Sequence, residues 1–192
     1  KVYGCALKPN TNPNLFEVAR VEEGSEVYFC DIRDYSKLNL FLRELEPEII
    51  FHLAAQPLVS NSYLNPLETY STNVMGLVNL FDISRNLLKL KVIVNITTDK
   101  CYENKEWEWG YRENEPMGGH DPYSSSKGCA ELVTTAYRRS FFSSGDTASL
   151  ASARAGNVIG GGDVSEARLI PEVISSLIIK EAPILRNPSA VR

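Results

Sequence analysis

Histidine is scarce: the 192 residues hold two, His52 and His120, beside four cysteines, Cys5, Cys30, Cys101 and Cys129. The cysteines are too widely spaced for a C-x-x-C pair or a dense disulfide framework, and no zinc ligand set emerges. Reduced thiols in a cytoplasmic protein, without a metal, are therefore expected. Clustered positive charge is also missing. Net charge is -4 and the 20 Lys and Arg are scattered, which argues against a nucleic-acid surface or a polybasic membrane patch. No apolar run reaches the ~18 residues of a bilayer span. Lys1-Val-Tyr-Gly shows neither an initiator Met nor a charged-then-apolar leader, and Arg186 to Arg192 offers no closing element. The chain reads as a piece cut at both ends.

Hydrophobic residues make up 43% and charged residues 23%, as in ordinary globular domains. The length suits one domain with a sizeable core. Short apolar runs alternate with longer amphipathic ones, the pattern of repeated βα units on a parallel sheet. Strands are expected at Val2–Leu7, Glu26–Cys30, Ile49–Leu53, Val92–Ile96, Ala148–Arg154 and Pro183–Arg186. Asp34 can cap a helix carrying Leu38, Phe41, Leu42 and Leu45, which leaves at Pro47. Pro66 opens a long helix to about Leu88, Pro122 or Tyr123 opens another to about Phe142, and a last one runs near Arg168–Lys180. Residues 101 to 121 form a long loop, a length usually reserved for function. The fold expected is α/β, a doubly wound parallel sheet. Ligands collect outside the carboxyl ends of such strands, at Asp31, Leu53–Gln56, Thr97–Lys100 and Arg154–Asn157.

Tyr123-Ser-Ser-Ser-Lys127 places a phenol and an ammonium at i and i+4 on one helix face. A tyrosine titrates at about 10, and a nearby cation favours its phenolate, so the pair can accept a hydroxyl proton. Alone, the pair is weak evidence and reads first as a surface helix contact. Its place after a strand ending in Thr97-Thr98 gives it weight, and there the chain resembles the extended short-chain dehydrogenase/reductases.

That resemblance carries expectations residue by residue. Thr98 would hold the substrate oxygen beside Tyr123 and Lys127. Asp31-Ile32 resembles the acidic-apolar pair at adenine, and His52-Leu-Ala-Ala55 the strand end where Leu53, Ala54, Ala55 and Gln56 line the cofactor. Asn73 resembles a structural Asn supporting the catalytic loop, and Arg154-Ala-Gly-Asn157 a turn leading to the nucleotide sugar. Asn157, Arg168, Arg186 and Arg192 would face the diphosphate, since a guanidinium fork suits phosphate oxygens. The glycine-rich phosphate loop and first strand of this Rossmann-like fold are absent, as is most of the substrate region. Residues 1–160 are thus read as a partial NAD-binding domain and 161–192 as the start of the substrate-binding region. The isolated chain is not expected to turn over substrate.

Within the family, Thr98-Asp99-Lys100 resembles the nucleotide-sugar 4,6-dehydratases, in a subgroup that carries Asp-Lys where others carry Asp-Glu. The resemblance implies a lyase: Tyr123 takes the C4 hydroxyl proton, water leaves across C5 and C6, and Asp99 protonates the departing hydroxyl. Lys100 would serve C5, as a base of lowered pKa or as an electrostatic stabiliser. Departures from the family pattern at Val164 and Ala167 leave the nucleotide pocket's shape open. NAD is the expected cofactor because the cycle begins with an oxidised one. Lys8, where an acidic ribose ligand is common, keeps NADP open. An epimerase or another dehydratase of the family, or a non-catalytic nicotinamide sensor, are the alternatives. A homodimer through the two long helices is expected by analogy.

Overall fold

The structure, a computed structural model, describes residues 1–165, 167–186, 188 and 189. Two compact units emerge: residues 1–29, 105–108 and 157–192 form one, and 30–104 with 109–156 form the other.

In the first unit β1 (Tyr3–Ala6) and β2 (Glu26–Phe29) pair in parallel, from Tyr3 opposite Glu26 to Ala6 opposite Phe29. Between them lies α1 (Leu15–Val18), a single turn started by the Asn14 side chain, which accepts from the Glu17 N–H at 2.9 Å. Phe16 meets Phe29 edge-on, ring centres 6.1 Å apart. The expected strand at Pro183–Arg186 does not form. These residues are exposed and no ladder offers them a partner among the described residues. Pro183 could not donate to one in any case.

The second unit begins with α2 (Tyr35–Leu45), capped by Asp34 accepting from the Lys37 N–H at 3.1 Å and burying Leu38 and Leu42. A three-stranded parallel ladder comes next, in the order β3 (Ile49–His52), β4 (Val92–Thr98), β5 (Ser149–Ala155). Its register sets His52 opposite Asn95 and Thr98 opposite Ala155. All strand pairings are parallel and the architecture is α/β, but the strands form two ladders rather than one.

The helix expected from Pro66 to Leu88 is not regular throughout and ends at Ser84. It runs as α4 (Pro66–Tyr70), a wide π turn (Ser71–Met75) and α5 (Gly76–Ser84), with α3 (Val59–Leu64) preceding it. The cause is tertiary. Asn73, inside the wide turn, is buried and hydrogen-bonded across to the segment after β3. Leu77, Phe81 and Ile83 of α5 and Ile93 of β4 are the fully buried core. Helix α6 (Pro122–Ser140) closes on it, with Tyr137 and Phe81 ring centres 5.4 Å apart.

Gly119 marks the tight entry to α6. A Cβ there would stand 2.2 Å from Ser124 Cβ and 2.6 Å from the Ser124 carbonyl carbon, so backbone itself would have to move. Gly119→Ala should therefore cost about 1–3 kcal/mol of stability in urea unfolding of the whole protein. An unchanged midpoint would show that the helix entry yields freely.

Candidate active site

Strand β4 ends at Thr98 in extended conformation and turns at once into a 3-10 turn, Asp99–Cys101. The Thr98 hydroxyl donates to Asp99 Oδ1 at 2.9 Å and accepts from the Lys100 N–H at 3.3 Å. A hydroxyl, a carboxyl and an ammonium are thereby gathered on three consecutive residues. The loop beyond is pinned at its neck. The Gly118 N–H bonds the Cys101 carbonyl at 2.9 Å, the Glu103 N–H bonds the Pro116 carbonyl at 2.9 Å, and Tyr102 bridges Met117. Burial of Cys101 pushes its thiol up to about 11, which suits packing and not reactivity.

Helix α6 starts where sequence logic places it. Asp121 accepts from the Ser124 N–H at 2.9 Å and from the Ser124 hydroxyl at 2.5 Å, and Pro122 occupies the first turn. Gly128 lets the helix lie against the turn, since a Cβ there would stand 3.5 Å from the Cys101 carbonyl oxygen. Tyr123 is half-buried, and Lys127, one turn on, is buried. Burial lowers the Lys127 ammonium to about 8, against the pull of Glu131 on the same helix. His52, at the end of β3, is lowered to about 4, first by burial and then by the Lys127 charge.

A second network holds this helix from behind. Asn73 accepts from the Gln56 N–H at 2.8 Å and donates to the Gln56 carbonyl at 3.2 Å and to Ser126 Oγ at 2.9 Å. Ser126 in turn donates to the Tyr123 carbonyl at 2.7 Å. The Gln56 side chain faces inward, donating to Thr69 Oγ1 at 2.9 Å and to the Leu58 carbonyl at 3.1 Å. At the same strand end Ala54 and Ala55 are half-buried, and Leu53 is 69% exposed. Asp31 is gripped by Arg33, with Nη2 2.6 Å from Oδ2, and this guanidinium holds the carboxyl below its usual range. Ile32 packs on α5, where a Cβ at Gly76 would approach its Cγ2 to 2.5 Å.

The remaining expected residues belong to the first unit. Asn157 is exposed there, Arg168 pairs with Asp163 at 3.0 Å, and Arg186 pairs with Glu172 at 2.8 Å. Arg192 lies outside the described residues. Sequence reasoning overlooked Glu131 and the side chain of Arg154, a buried carboxylate and a half-buried guanidinium that pair at 3.1 Å below the turn. Two signals could have found them: a Glu one helical turn after Lys127, and a cation inside a strand of small residues. A groove of about 760 Å³ opens beside this pair, lined by Tyr102, Glu113, Arg138 and Ser152, none of them an expected site residue. Among the described residues no helix is long and apolar enough to cross a membrane.

A family model described as GDP-mannose 4,6 dehydratase matches residues 6–159. A CDP-glucose 4,6-dehydratase of Salmonella typhimurium is 54% identical over 195 aligned residues, covering 100% of this chain and 54% of that protein. The chain thus spans about half the length of this curated relative. Among solved structures, a dTDP-glucose 4,6-dehydratase of Bacillus anthracis in complex with NAD superposes with a TM-score of 0.75 at 22% identity, over 94% of this chain and 53% of that one. A double-mutant dTDP-glucose 4,6-dehydratase of Streptomyces venezuelae with NAD bound gives 0.71 at 26% identity, over 87% and 49%.

The depressed His52 has a consequence for stability. Its imidazole is neutral in the folded chain down to about pH 4, whereas an unfolded one takes a proton below its ordinary 6.5. The unfolded state therefore binds more protons in that window, and stability is lost as pH falls through it, by up to about 3 kcal/mol. His52→Leu should flatten the decline in denaturant midpoint between pH 6.5 and 4. An identical slope in the variant would place the acid sensitivity elsewhere.

Proposed function

We propose, for a chain that belongs to the GDP-mannose 4,6-dehydratase family, that the whole protein is an NAD-dependent lyase converting CDP-glucose to CDP-4-keto-6-deoxyglucose. One observation carries most of this reading: the match to the Salmonella enzyme runs over the whole chain at 54% identity, spanning the Thr98–Lys100 turn and α6 alike. The residues present suit NAD. Ala54 and Ala55 are short side chains at a strand end, where backbone can approach a flat ring system, and Lys127 is a buried cation beside Tyr123. Asp31, Ile32 and Leu53 would border the adenosine side, with Gln56 and Asn73 framing the site from within. Held there, NAD would supply the hydride acceptance and donation that the redox half of the cycle needs.

The chain's own residues do the rest. Tyr123 accepts the C4 hydroxyl proton, and the Lys127 cation stabilises the phenolate this requires. Thr98 holds the same substrate oxygen. Asp99 would be the acid for the departing C6 hydroxyl, its carboxyl oriented by the Thr98 hydrogen bond. Lys100 serves the C5 side, as base or as the cation that steadies the enolate. Asn157, Arg168, Arg186 and Arg192 would take the diphosphate, and the departures at Val164 and Ala167 shape that pocket. Residues 1–160 would then be part of the cofactor domain and 161–192 the opening of the substrate region. The product suits deoxysugar and lipopolysaccharide precursor synthesis in the cytoplasm, by a dimer joined through the helices around 66–88 and 122–142.

Full-length protein incubated with CDP-glucose and NAD should yield the 4-keto-6-deoxy sugar nucleotide. Turnover of UDP- or dTDP-glucose alone would overturn the substrate, and binding without turnover would favour a sensor. Asp99→Asn should slow water loss about 10²–10⁴-fold while C4 oxidation falls far less, so that quenched single turnovers accumulate the undehydrated 4-keto sugar. Equal loss of both steps would remove Asp99 from the acid role. Lys100→Arg keeps the cation and removes the base. Retained water loss assigns Lys100 to electrostatics, and collapse comparable to Lys100→Met assigns it to proton abstraction.

A further inference from the structure

Beneath the turn lies the ion pair that none of this chemistry uses. Glu131 is 3% exposed. Its Oε1 accepts from the Thr97 hydroxyl, and its Oε2 accepts from Ser152 Oγ at 2.9 Å and Arg154 Nη2 at 3.1 Å. Burial alone would raise this carboxyl, but the hydrogen bonds from Arg154, Thr97 and Ser152 outweigh it and hold the pKa low. One carboxylate thus ties α6 to both β4 and β5. Arg154 extends the tie outward. Its Nη1 donates to the Tyr102 hydroxyl at 2.8 Å and to the Glu113 carbonyl at 3.0 Å, and its guanidinium carbon sits 4.8 Å from the Tyr102 ring centre. Tyr102 stacks on Tyr111 at 5.1 Å.

Thr97 and Tyr102 bracket the residues 98–101, and each is held by one member of the pair. A buried carboxylate paired with a half-buried guanidinium is a poor way to add stability, because desolvation offsets much of the attraction. What they provide is direction: a planar fork with fixed hydrogen-bond geometry on one side and a two-oxygen acceptor on the other. We propose that Glu131 and Arg154 are positioning residues for the elimination step, fixing Asp99 and Lys100 over the substrate by clamping the two ends of their turn to α6. The clamp takes its chemistry from the dehydratase function proposed for the whole protein, but its geometry can be tested without any sugar.

Two readouts on the whole protein decide it, using Arg154→Met, Arg154→Lys and the milder Tyr102→Phe, which deletes one hydroxyl and keeps the ring. The first is backbone amide exchange at 98–104, with residues 77–83 of α5 as internal reference. The second is the split between C4 oxidation and water loss in quenched single turnovers. Arg154→Met should speed exchange at the turn about tenfold or more with the α5 reference unmoved, and slow water loss about 10²-fold with oxidation much less affected. Tyr102→Phe should shift both readouts the same way, about 3–10-fold. Arg154→Lys, which keeps the charge and loses the fork, should rescue less than half of the Arg154→Met effect. Unchanged exchange at the turn in both Arg154→Met and Tyr102→Phe would overturn the inference. So would full rescue by Lys, or equal slowing of both chemical steps. If Arg154→Met loosens α5 as well, Tyr102→Phe decides. If the wild-type protein dehydrates no nucleotide sugar, the functional reading fails, while the exchange readout still reports on the clamp.

Discussion

The amide of Asn73 is the contact on which the arrangement of the second unit depends. With one side chain it satisfies both backbone groups of Gln56, 17 residues away, and reaches Ser126, 53 residues away. All three bonds are buried. Each contributes about 1 kcal/mol net, but removing the amide would strand buried partners at about 1–3 kcal/mol apiece. Because Ser126 passes the restraint to the Tyr123 carbonyl, the first turn of α6 is set by a residue three elements upstream. The segment after β3 and the start of the helix that carries Tyr123 are therefore placed by a common anchor.

Charge in this unit is arranged around burial. Lys127 and His52 sit in the same poorly solvated region, and burial is the largest influence on each, lowering both. A neutral His52 leaves the Lys127 cation without a competing positive neighbour, while Glu131 on the next turn of α6 favours its charged form. The opposite solution operates at Glu131 itself, where hydrogen bonds outweigh burial. Desolvation tunes one group toward neutrality and specific partners keep the other ionised, within one helical turn.

Much of this was legible from local signals. Asp34 and Pro122 announce the starts of α2 and α6, and the alternation of apolar runs announces parallel pairing. Thr98, Asp99 and Lys100 were readable as neighbours because they are consecutive. What escaped was set by tertiary contacts. The π turn could not be read from the helix that Pro66 announces, because its cause is a bond to Gln56 across the fold. The inward turn of the Gln56 side chain to Thr69, 13 residues on, was likewise not legible. Glu131 was passed over, because the partner that reveals it, Arg154, lies on β5 rather than on its own helix. The strand expected at 183–186 had a suitable composition and, among the described residues, no ladder to join.

The wide turn at Ser71–Met75 also makes this helix intolerant of changes in length. A π turn accommodates one more residue than an α turn, and each residue of an α-helix rotates the next by about 100°. Deleting a single residue there could restore a regular helix at no cost in backbone hydrogen bonds. It would also swing the buried row of Leu77, Leu80, Phe81 and Ser84 away from the core they now fill. An alignment gap placed in these five positions thus has a different meaning from one in a surface loop, since the reading frame of the whole helix is wound into it.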